Sequence, residues 1–310
     1  MLNILFSASP AAWSEYKEPL RASFAKAGLA AQLSCDHAPE DVDYIIFAPN
    51  GPVTDFRPYT RTKAVMGLWA GVETIVDNKT LTQPLCRLVD ESLTRGMVEW
   101  VTGHTLRHHL GMDTHIHGQD GQWRDDSFPP IAPKRPVTIL GIGALGAACG
   151  QALHALGFPV TGWSRSAKHV PNIRCLHGDE GLREALTGAQ IVILLLPQTP
   201  ETTNILNSDT LALMAKGSFV INPGRGPLID DAALFMALND GQIAHATLDV
   251  FRTEPLPQDD PNWAHPQVTV TPHIASTTRP ETAADVIAEN IARGEAGEPF
   301  RFLVDRARGY

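Results

Sequence analysis

The sequence predicts two α/β domains, each built on a parallel sheet with helices on both faces. Short apolar segments alternate with helical stretches along almost the whole chain, which is typical of parallel sheets. The 310 residues are enough for two separate cores. A polar, proline-containing stretch at 117–136 divides the alternation into two series.

The first series contains two strands and two helices that the sequence marks clearly. Its predicted elements are a strand at 2–6, a helix from Glu15 to Ala27, a strand at 44–49, an element with "AVMGLWAG" at 64–71, and a helix from Asp90 to about Leu110. Gly28 provides the first helix with a C-cap. The last helix has no proline and is predicted to leave this domain.

The second series predicts a larger sheet. Its apolar strands are expected at 137–143, 158–164, 189–197, 217–222, 243–250 and 267–272. A final helix, Glu281 to Gly294, follows the series and is expected to pack back on the first domain. The predicted division is therefore a discontinuous domain of residues 1–95 plus 277–310 and a second domain of residues 96–276.

Composition excludes several classes of function. The chain is 43% hydrophobic and 19% charged, as expected for a soluble globular protein, and its net charge of -9 argues against nucleic acid and anionic membranes as partners. The longest apolar run, 191–196, is too short to span a bilayer. The opening residues predict a strand rather than a signal peptide. The four scattered cysteines predict reduced thiols in the cytoplasm.

A glycine-rich turn, "GIGALG" at 141–146, joins a predicted strand to a predicted helix. Gly141, Gly143 and Gly146 permit a tight turn and close approach of backbone N–H groups to a pyrophosphate, which the helix N-terminus also favours. Such turns also occur for packing alone, but the surrounding βαβ pattern favours a dinucleotide. Ala144 and Leu145 complete the predicted phosphate site.

The next strand ends in "GWSRSAK", which contains no acid. A protein that binds NAD usually has a carboxylate here for the ribose 2′-hydroxyl, whereas a 2′-phosphate needs cations and hydroxyl groups. This turn provides cations and hydroxyl groups, in Ser164, Arg165, Ser166 and Lys168. The alternative is a solvated turn, and the sequence favours NADP(H).

Three further residues follow consecutive strands of the second series. Arg225 lies between two glycines in "INPGRG", Glu254 follows in "LDVFRTEPLP", and His273 follows in "TPHIAS". Taken singly, they could be an interdomain salt bridge, a solvated carboxylate and a structural histidine. Because the carboxyl ends of parallel strands meet at one edge, we expect them to form one site. The arginine would bind a substrate carboxylate, and the glutamate would orient a proton-donating imidazole.

The motifs quoted above, together with "LLLPQTPETTNIL", resemble the D-isomer-specific 2-hydroxyacid dehydrogenase family over nearly the whole chain. The resemblance implies a flavodoxin-like substrate domain and a Rossmann-type cofactor domain with the active site in a cleft between them. It implies that Arg225 anchors the substrate, that Glu254 is the partner of His273, and that His273 is the proton donor. Asp249 is then expected to bond the nicotinamide carboxamide. The remaining implied cofactor residues are Leu196, Pro197, Gln198 and Pro223.

The substrate loop of the family matches "WAGVE" more loosely. The resemblance implies that the N–H groups of Gly71 and Val72 bind the substrate carboxylate, although Leu68 and Trp69 stand where smaller residues are common. It also implies a homodimer formed through the cofactor domain. Trp123, an aromatic residue in a polar segment, is then expected to reach the partner's active-site mouth.

The turn at 164–168 and the chain length resemble family members that use NADPH to reduce glyoxylate and hydroxypyruvate to glycolate and D-glycerate. One alternative is another D-2-hydroxyacid dehydrogenase of different substrate. Formate dehydrogenases have glutamine in place of Glu254, and phosphoglycerate dehydrogenases often carry a regulatory domain and usually keep the NAD-binding acid. A second alternative is a dinucleotide-sensing interaction protein like the C-terminal-binding corepressors, which usually carry an additional disordered tail.

Histidines crowd the long predicted helix and the segment after it: His104, His108, His109, His115 and His117. The first two have the i, i+4 spacing of metal ligands. Because no carboxylate or cysteine completes a site, we expect no metal and an exposed or interface helix.

Overall fold

The computed structural model describes residues 1–123, 125 and 128–306, and the chain divides into two compact units. Unit 1 comprises Met1–Leu93 and the chain from Thr277 onward, and unit 2 comprises Thr94–Ser276. The first division therefore falls after Leu93 rather than after the expected Arg95.

Both units are built on parallel sheets. The strands are β1 Leu2–Ser7, β2 Ala31–Ser34, β3 Tyr44–Phe47, β4 Ala64–Gly67, β5 Leu85–Cys86, β6 Val137–Leu140, β7 Val160–Ser164, β8 Arg174–His177, β9 Ile191–Leu194, β10 Ser218–Asn222, β11 Ile243–Leu248 and β12 Val268–Val270. The α-helices are α1 Pro10–Lys26, α2 Glu91–Leu110, α3 Met112–His117, α4 Ala144–Ala155, α5 Gly178–Leu186, α6 Ser208–Leu211, α7 Asp231–Asn239 and α8 Pro280–Glu295.

The sheet of unit 1 has the strand order β2-β1-β3-β4-β5, which is the flavodoxin-like order. One face is covered by a core that includes α1 and α8 residues such as Leu20 and Ile287. The opposite face packs against the chain between the strands, including Phe56 and Val72. The final helix thus returns to unit 1, as expected from the discontinuous pattern.

The sheet of unit 2 has the order β12-β11-β10-β9-β6-β7-β8. The chain order reverses between β6 and β9, and this switch point is where a doubly wound Rossmann sheet binds its ligand. Central strands β6 and β9 are buried along their whole length, which explains why their sequences are continuous apolar runs rather than alternating ones. Two parallel α/β units are therefore present, as predicted.

Several element boundaries differ from the sequence prediction. Helix α1 begins at Pro10 rather than Glu15, because Ser9 caps it by accepting a hydrogen bond from the Ala12 N–H at 3.2 Å and proline suits the first helical position. Strands β2, β5 and β8 were missed. Each has at most four residues and lies at or near a sheet edge, so its apolar signal is short.

The prediction of an exposed or interface helix is wrong for two of the α2 histidines. His108 and His109 are buried, with only 4% and 6% of their surface exposed. The His108 ring stacks on Phe219 of β10, and its Nε2 lies 2.9 Å from Thr247 Oγ1 of β11. Among the described residues, no group of three or more histidines, cysteines or acids is placed to hold a metal.

Two features of the chain concern membrane insertion and the state of the cysteines: the length and polarity of the helices, and the pairing of the thiols. In the described part of the chain, no helix combines the length and the apolar character that crossing a bilayer requires. All four cysteines are unpaired, and burial raises the pKa of Cys86 to about 11 and of Cys149 to about 12. These two thiols are therefore unreactive at neutral pH.

Candidate active site

The three sequence-predicted catalytic residues follow three adjacent strands of unit 2. Arg225 follows β10, Glu254 follows β11 and His273 follows β12, and these strands are neighbours in the sheet. Because the strands are parallel, all three residues leave the same carboxyl edge. This is the edge at which open α/β sheets bind ligands.

His273 and Glu254 are in direct contact. The imidazole Nδ1 lies 2.7 Å from Glu254 Oε2, and the other carboxylate oxygen accepts the Phe251 N–H at 2.8 Å. The His273 side chain is 52% exposed, so its ring is accessible to a ligand. Since Nδ1 is held by the carboxylate, Nε2 is the nitrogen that points away and can exchange a proton.

The backbone at His273 is held in an unusual conformation. Its φ of 55° lies in the left-handed region, where a residue with a Cβ is disfavoured by about 1 kcal/mol or more. Its N–H donates to the carbonyl of Asp249 at 2.8 Å, with a further bond to Thr271 O at 3.1 Å. The surrounding loop therefore fixes the direction in which the ring leaves the sheet.

Asp249 organises that loop. Its carboxylate is fully buried and accepts hydrogen bonds from the Thr271 hydroxyl at 2.6 Å and from the N–H groups of Ile274 and Ala275 at 2.9 Å each. Buried carboxylates need such donors because burying an unpaired charge is costly. The sequence did not predict this role, and the carboxamide contact expected for Asp249 stays a prediction.

Arg225 lies in a loop that a buried asparagine shapes. Asn222, at the end of β10, accepts the Gly224 N–H at 3.1 Å and donates to the Arg225 carbonyl at 2.9 Å. The Arg225 side chain is partly buried, and its Nη1 donates to the Gly224 carbonyl at 2.7 Å. Sequence reasoning missed Asn222, although a polar residue that ends a buried strand was a usable signal.

The two glycines beside Arg225 act differently from the expectation that they allow a sharp turn and leave room for a ligand. Neither has a positive φ. A Cβ on Gly226 would lie 2.1 Å from the Phe251 carbonyl carbon, and one on Gly224 would lie 2.8 Å from Leu194 O. The glycines therefore let the Arg225 loop pack against neighbouring backbone, which restricts its movement.

The glycine-rich turn after β6 fits a pyrophosphate. Gly141 has a φ of 108° and faces the Leu195 carbonyl, and a Cβ on Gly146 would collide with the Gly141 carbonyl at 2.0 Å. Gly143, in contrast, is exposed and has no atom near the position of a Cβ. It precedes α4 and provides no side-chain cap. The helix N-terminus is therefore accessible there to an anion, with Ala144 exposed and Leu145 partly buried.

The turn after β7 has the expected character. Arg165, Ser166 and Lys168 are exposed, and the Ser164 hydroxyl donates to the Ser166 carbonyl at 2.8 Å, which closes the turn. Glu201 lies close enough for its pKa to be lowered, first by a hydrogen bond with Thr199 and also by the charge of Arg165. Sequence reasoning missed this carboxylate because it is distant in the chain.

The other predicted cofactor residues follow β9 and β10. Leu196 is buried in the core of unit 2, Gln198 is exposed, and the Pro197 carbonyl accepts the Thr202 hydroxyl at 2.7 Å. Pro223 is buried directly before the Arg225 loop. The predicted cofactor residues thus lie at the carboxyl ends of β6, β7, β9 and β10, with Asp249 at the end of β11. These residues fit NADP, since an open helix N-terminus and an acid-free basic turn occur at one sheet edge.

In unit 1, Gly71 and Val72 lie in the loop after β4. The Val72 carbonyl accepts the N–H groups of Ile75 at 3.0 Å and Val76 at 2.9 Å, and the Val72 side chain is buried. No hydrogen-bond acceptor for the Gly71 or Val72 N–H is present among the described residues. Both donors are thus available to a ligand.

Residues 102–275 match the family model of the D-isomer specific 2-hydroxyacid dehydrogenase, NAD binding domain. A glyoxylate/hydroxypyruvate reductase A from Serratia proteamaculans is 42% identical over 262 residues, which cover 81% of this chain and 82% of the relative. The residues that the family model matches include the glycine-rich turn and the Arg225, Glu254 and His273 loops.

Solved structures agree with this match. A D-isomer specific 2-hydroxyacid dehydrogenase from Xanthobacter autotrophicus, in complex with NADPH and MES, has a TM-score of 0.92 and 39% identity over 99% of both chains. An NADPH-dependent glyoxylate/hydroxypyruvate reductase from Sinorhizobium meliloti, in complex with NADP and sulfate, has a TM-score of 0.86 and 30% identity over 100% of both chains. The chain is a member of the D-isomer specific 2-hydroxyacid dehydrogenase family.

Proposed function

We propose that this protein is an NADP-dependent oxidoreductase acting on CH–OH groups, which uses NADPH to reduce glyoxylate to glycolate and hydroxypyruvate to D-glycerate. The observation that carries the proposal is the 2.7 Å contact between His273 and Glu254 at the sheet edge that also presents Arg225. The names of the relatives support the substrate class.

Bound NADPH supplies a hydride to the carbonyl carbon of the 2-oxo acid. The chain's own residues bind the acid and handle the proton. His273 donates a proton from Nε2 to the carbonyl oxygen, while Glu254 holds Nδ1–H and keeps the ring in one orientation. Arg225 binds the substrate carboxylate and stabilises the negative charge that develops on the carbonyl oxygen.

The carboxylate also receives hydrogen bonds from Gly71 and Val72 in this proposal. The Val72 carbonyl holds the loop that follows β4 by accepting the N–H groups of Ile75 and Val76, so the two donors bind without a large loss of backbone entropy. Two N–H donors and one guanidinium satisfy both oxygens of a carboxylate. This arrangement favours small anionic substrates over neutral carbonyl compounds.

The cofactor is NADP(H). Gly141, Gly143, Ala144, Leu145 and Gly146 hold the pyrophosphate. The residues around the 2′-phosphate and the nicotinamide are Ser164, Arg165, Ser166, Lys168, Leu196, Pro197, Gln198, Pro223 and Asp249. The absence of an acid between 164 and 168 supports NADPH over NADH, as do the NADPH and NADP bound in the related structures.

The proposal extends to assembly and location. We place the protein in the cytoplasm as a homodimer, with Trp123 reaching the partner's active-site mouth. The support is that the segment after α2 exposes large apolar side chains, with exposed fractions of 58% for Ile116, 92% for Trp123, 83% for Phe128 and 66% for Ile131. A surface of this kind is typical of a protein–protein interface. Light scattering at micromolar concentration tests the dimer, and a monomer would refute it.

A steady-state screen tests the function. Glyoxylate, hydroxypyruvate and larger 2-oxo acids are compared with NADPH and with NADH, and Arg165→Ala is compared with the unmutated protein. We expect NADPH to be preferred and Arg165→Ala to raise KM for NADPH far more than for NADH. Equal use of both cofactors would refute the cofactor assignment, and no reduction of any 2-oxo acid would refute the activity.

A further inference from the structure

Arg87 in unit 1 is a partly buried cation. No hydrogen bond or ion pair to this group is present among the described residues. Arg61 of the same unit, in contrast, binds the buried Asp43 carboxylate at 2.8 Å. Burial lowers the pKa of Arg87, which indicates that its charge is poorly solvated. A guanidinium has five N–H donors, and partial burial without acceptors is costly.

The position of Arg87 is at the carboxyl edge of the unit 1 sheet, beside the substrate loop. Strands β4 and β5 pair with Met66 opposite Cys86, so Arg87 comes next, opposite Gly67. A Cβ on Gly67 would lie 3.7 Å from Arg87 Cα. One residue further, the Leu88 N–H donates to the Trp69 carbonyl at 3.0 Å. Arg87 is thus tied to the segment that continues into Gly71 and Val72.

The alternation of side chains places Arg87 on the same face of the sheet as that loop. Leu85 packs in the cluster that contains Val72 and Ile75, whereas Cys86 and Leu88 pack in the cluster on the opposite face. Since successive side chains of a strand point to opposite faces, Arg87 shares the face of Leu85 and Val72. The guanidinium therefore leaves the face of the sheet that also carries the loop with the two N–H groups assigned to the substrate carboxylate.

We propose that Arg87 binds an oxygen on C3 of the 2-oxo acid, and so selects substrates that carry a hydroxyl or carboxylate group there. The inference rests on the proposed function, because it assumes that Gly71 and Val72 bind the carboxylate on C1. That carboxylate already has two N–H donors in this loop, so a further cation at this edge serves the other end of the substrate. Hydroxypyruvate has a C3 hydroxyl, pyruvate has a C3 methyl group, and glyoxylate has no C3.

The test compares these three substrates with NADPH in Arg87→Met and Arg87→Lys. A hydrogen bond to a charged group contributes about 1.5–3 kcal/mol, so Arg87→Met should lower kcat/KM for hydroxypyruvate by roughly 10- to 100-fold. The same substitution should change kcat/KM for glyoxylate and for pyruvate by less than about threefold. Arg87→Lys keeps the charge without the planar fork and should give a smaller loss on hydroxypyruvate alone. Arg57→Met, which removes an exposed arginine paired with Asp55 in the same unit, is the matched control and should change none of them.

Calorimetry on the NADP-loaded protein provides a readout independent of turnover. The unmutated protein should bind D-glycerate more tightly than D-lactate, and Arg87→Met should remove this difference. Because Arg87 makes no ion pair with the residues that the structure describes, its replacement should not lower the thermal midpoint. If Arg87→Met nevertheless fails to fold, the ratio of hydroxypyruvate to glyoxylate activity in Arg87→Lys decides the question.

Two outcomes would overturn the inference while leaving the proposed function intact. An equal loss on all three substrates would assign Arg87 to the C1 carboxylate, and an unchanged hydroxypyruvate reaction would leave it without a substrate role. If the unmutated protein reduced none of the three, the proposed function would fail, and the role of Arg87 would fail with it.

Discussion

Strands β11 and β12 carry histidines in two opposite environments. At their carboxyl ends, Glu254 and His273 form an exposed side-chain contact of 2.7 Å. In the middle of the same pair, His245 Nε2 lies 2.8 Å from Thr269 Oγ1 and its ring is 5.2 Å from that of His108. One histidine faces a carboxylate and solvent, whereas the others face hydroxyl groups and apolar rings.

The different partners of these histidines indicate different roles: His273 suits proton transfer, whereas His245 and His108 are structural. Burial lowers the pKa of His245 to about 4 and of His108 to about 3, with further lowering by the nearby charge of Arg107. These two rings therefore stay neutral at pH 7 and act as polar core residues. His273 is accessible and has a carboxylate on Nδ1, which suits a proton donor. Residue type alone does not distinguish the two cases.

The largest effect on kcat is expected from His273→Ala. Removal of a positioned general acid typically lowers kcat by about 10²- to 10⁴-fold. NADPH binding, measured by fluorescence titration, should survive because the phosphate site lies at other strand ends. His177→Ala is the matched control, since His177 is also exposed at the end of a strand and should be dispensable. A near-normal kcat for His273→Ala would place His273 with the structural histidines.

The next largest effect is expected for Arg225, which leaves the same sheet edge after β10, two strands from β12. Arg225→Lys keeps the positive charge but loses the planar fork that binds two oxygens. We expect kcat/KM for glyoxylate to fall by about 10²-fold, equivalent to about 2.7 kcal/mol of transition-state stabilisation. NADPH binding should be normal, and Arg183→Lys on the exposed end of α5 is the control. Unchanged kcat/KM would mean that charge alone is sufficient.

Asp249→Asn tests how the His273 loop is held. Asparagine has one acceptor oxygen in place of two, and its NH₂ group would face N–H donors of the loop. We expect the free energy of unfolding, measured by urea denaturation, to fall by about 1–3 kcal/mol, together with a lower kcat. A rise in KM for NADPH without any loss of stability would instead support direct contact of Asp249 with the cofactor.

The smallest expected effect is the loss of stability in acid that comes from His245 and His108. Their folded pKa values lie below the unfolded value of about 6.5, so the unfolded chain takes up protons first as pH falls. The stability that they contribute is present above about pH 6.5 and is lost as pH falls to about 4 for His245 and about 3 for His108. At pH 5.5 the loss from His245 is on the order of 1 kcal/mol.

His245→Gln should flatten this dependence, because glutamine can still bond Thr269 but cannot titrate in this range. Its kcat/KM at pH 7 should equal that of the unmutated protein. The measurement is the thermal midpoint from pH 7 to pH 5 in both proteins. Identical slopes would show that His245 does not carry the acid response.

The sequence alone determined the two α/β units, the long strands of both sheets, the glycine-rich turn and the alignment of Arg225, Glu254 and His273 on consecutive strands. These features are local, since the hydrophobic periodicity, the turn-forming residues and the order of elements can all be read from the amino-acid sequence. The family motifs also identified the fold and the enzyme class.

Only the tertiary structure decided the remaining points, because they depend on contacts between distant parts of the chain. The glycines beside Arg225 are required by the Leu194 carbonyl at the end of β9 and by the Phe251 backbone in the loop after β11. Asp249 is buried with three donors from the 271–275 loop, a role that the sequence does not reveal. His108 is buried because α2 packs on β10 and β11, and no spacing within α2 reveals those partners. Burial and hydrogen-bond partners are properties of the packed chain, and they separate a reactive side chain from a structural one of the same type.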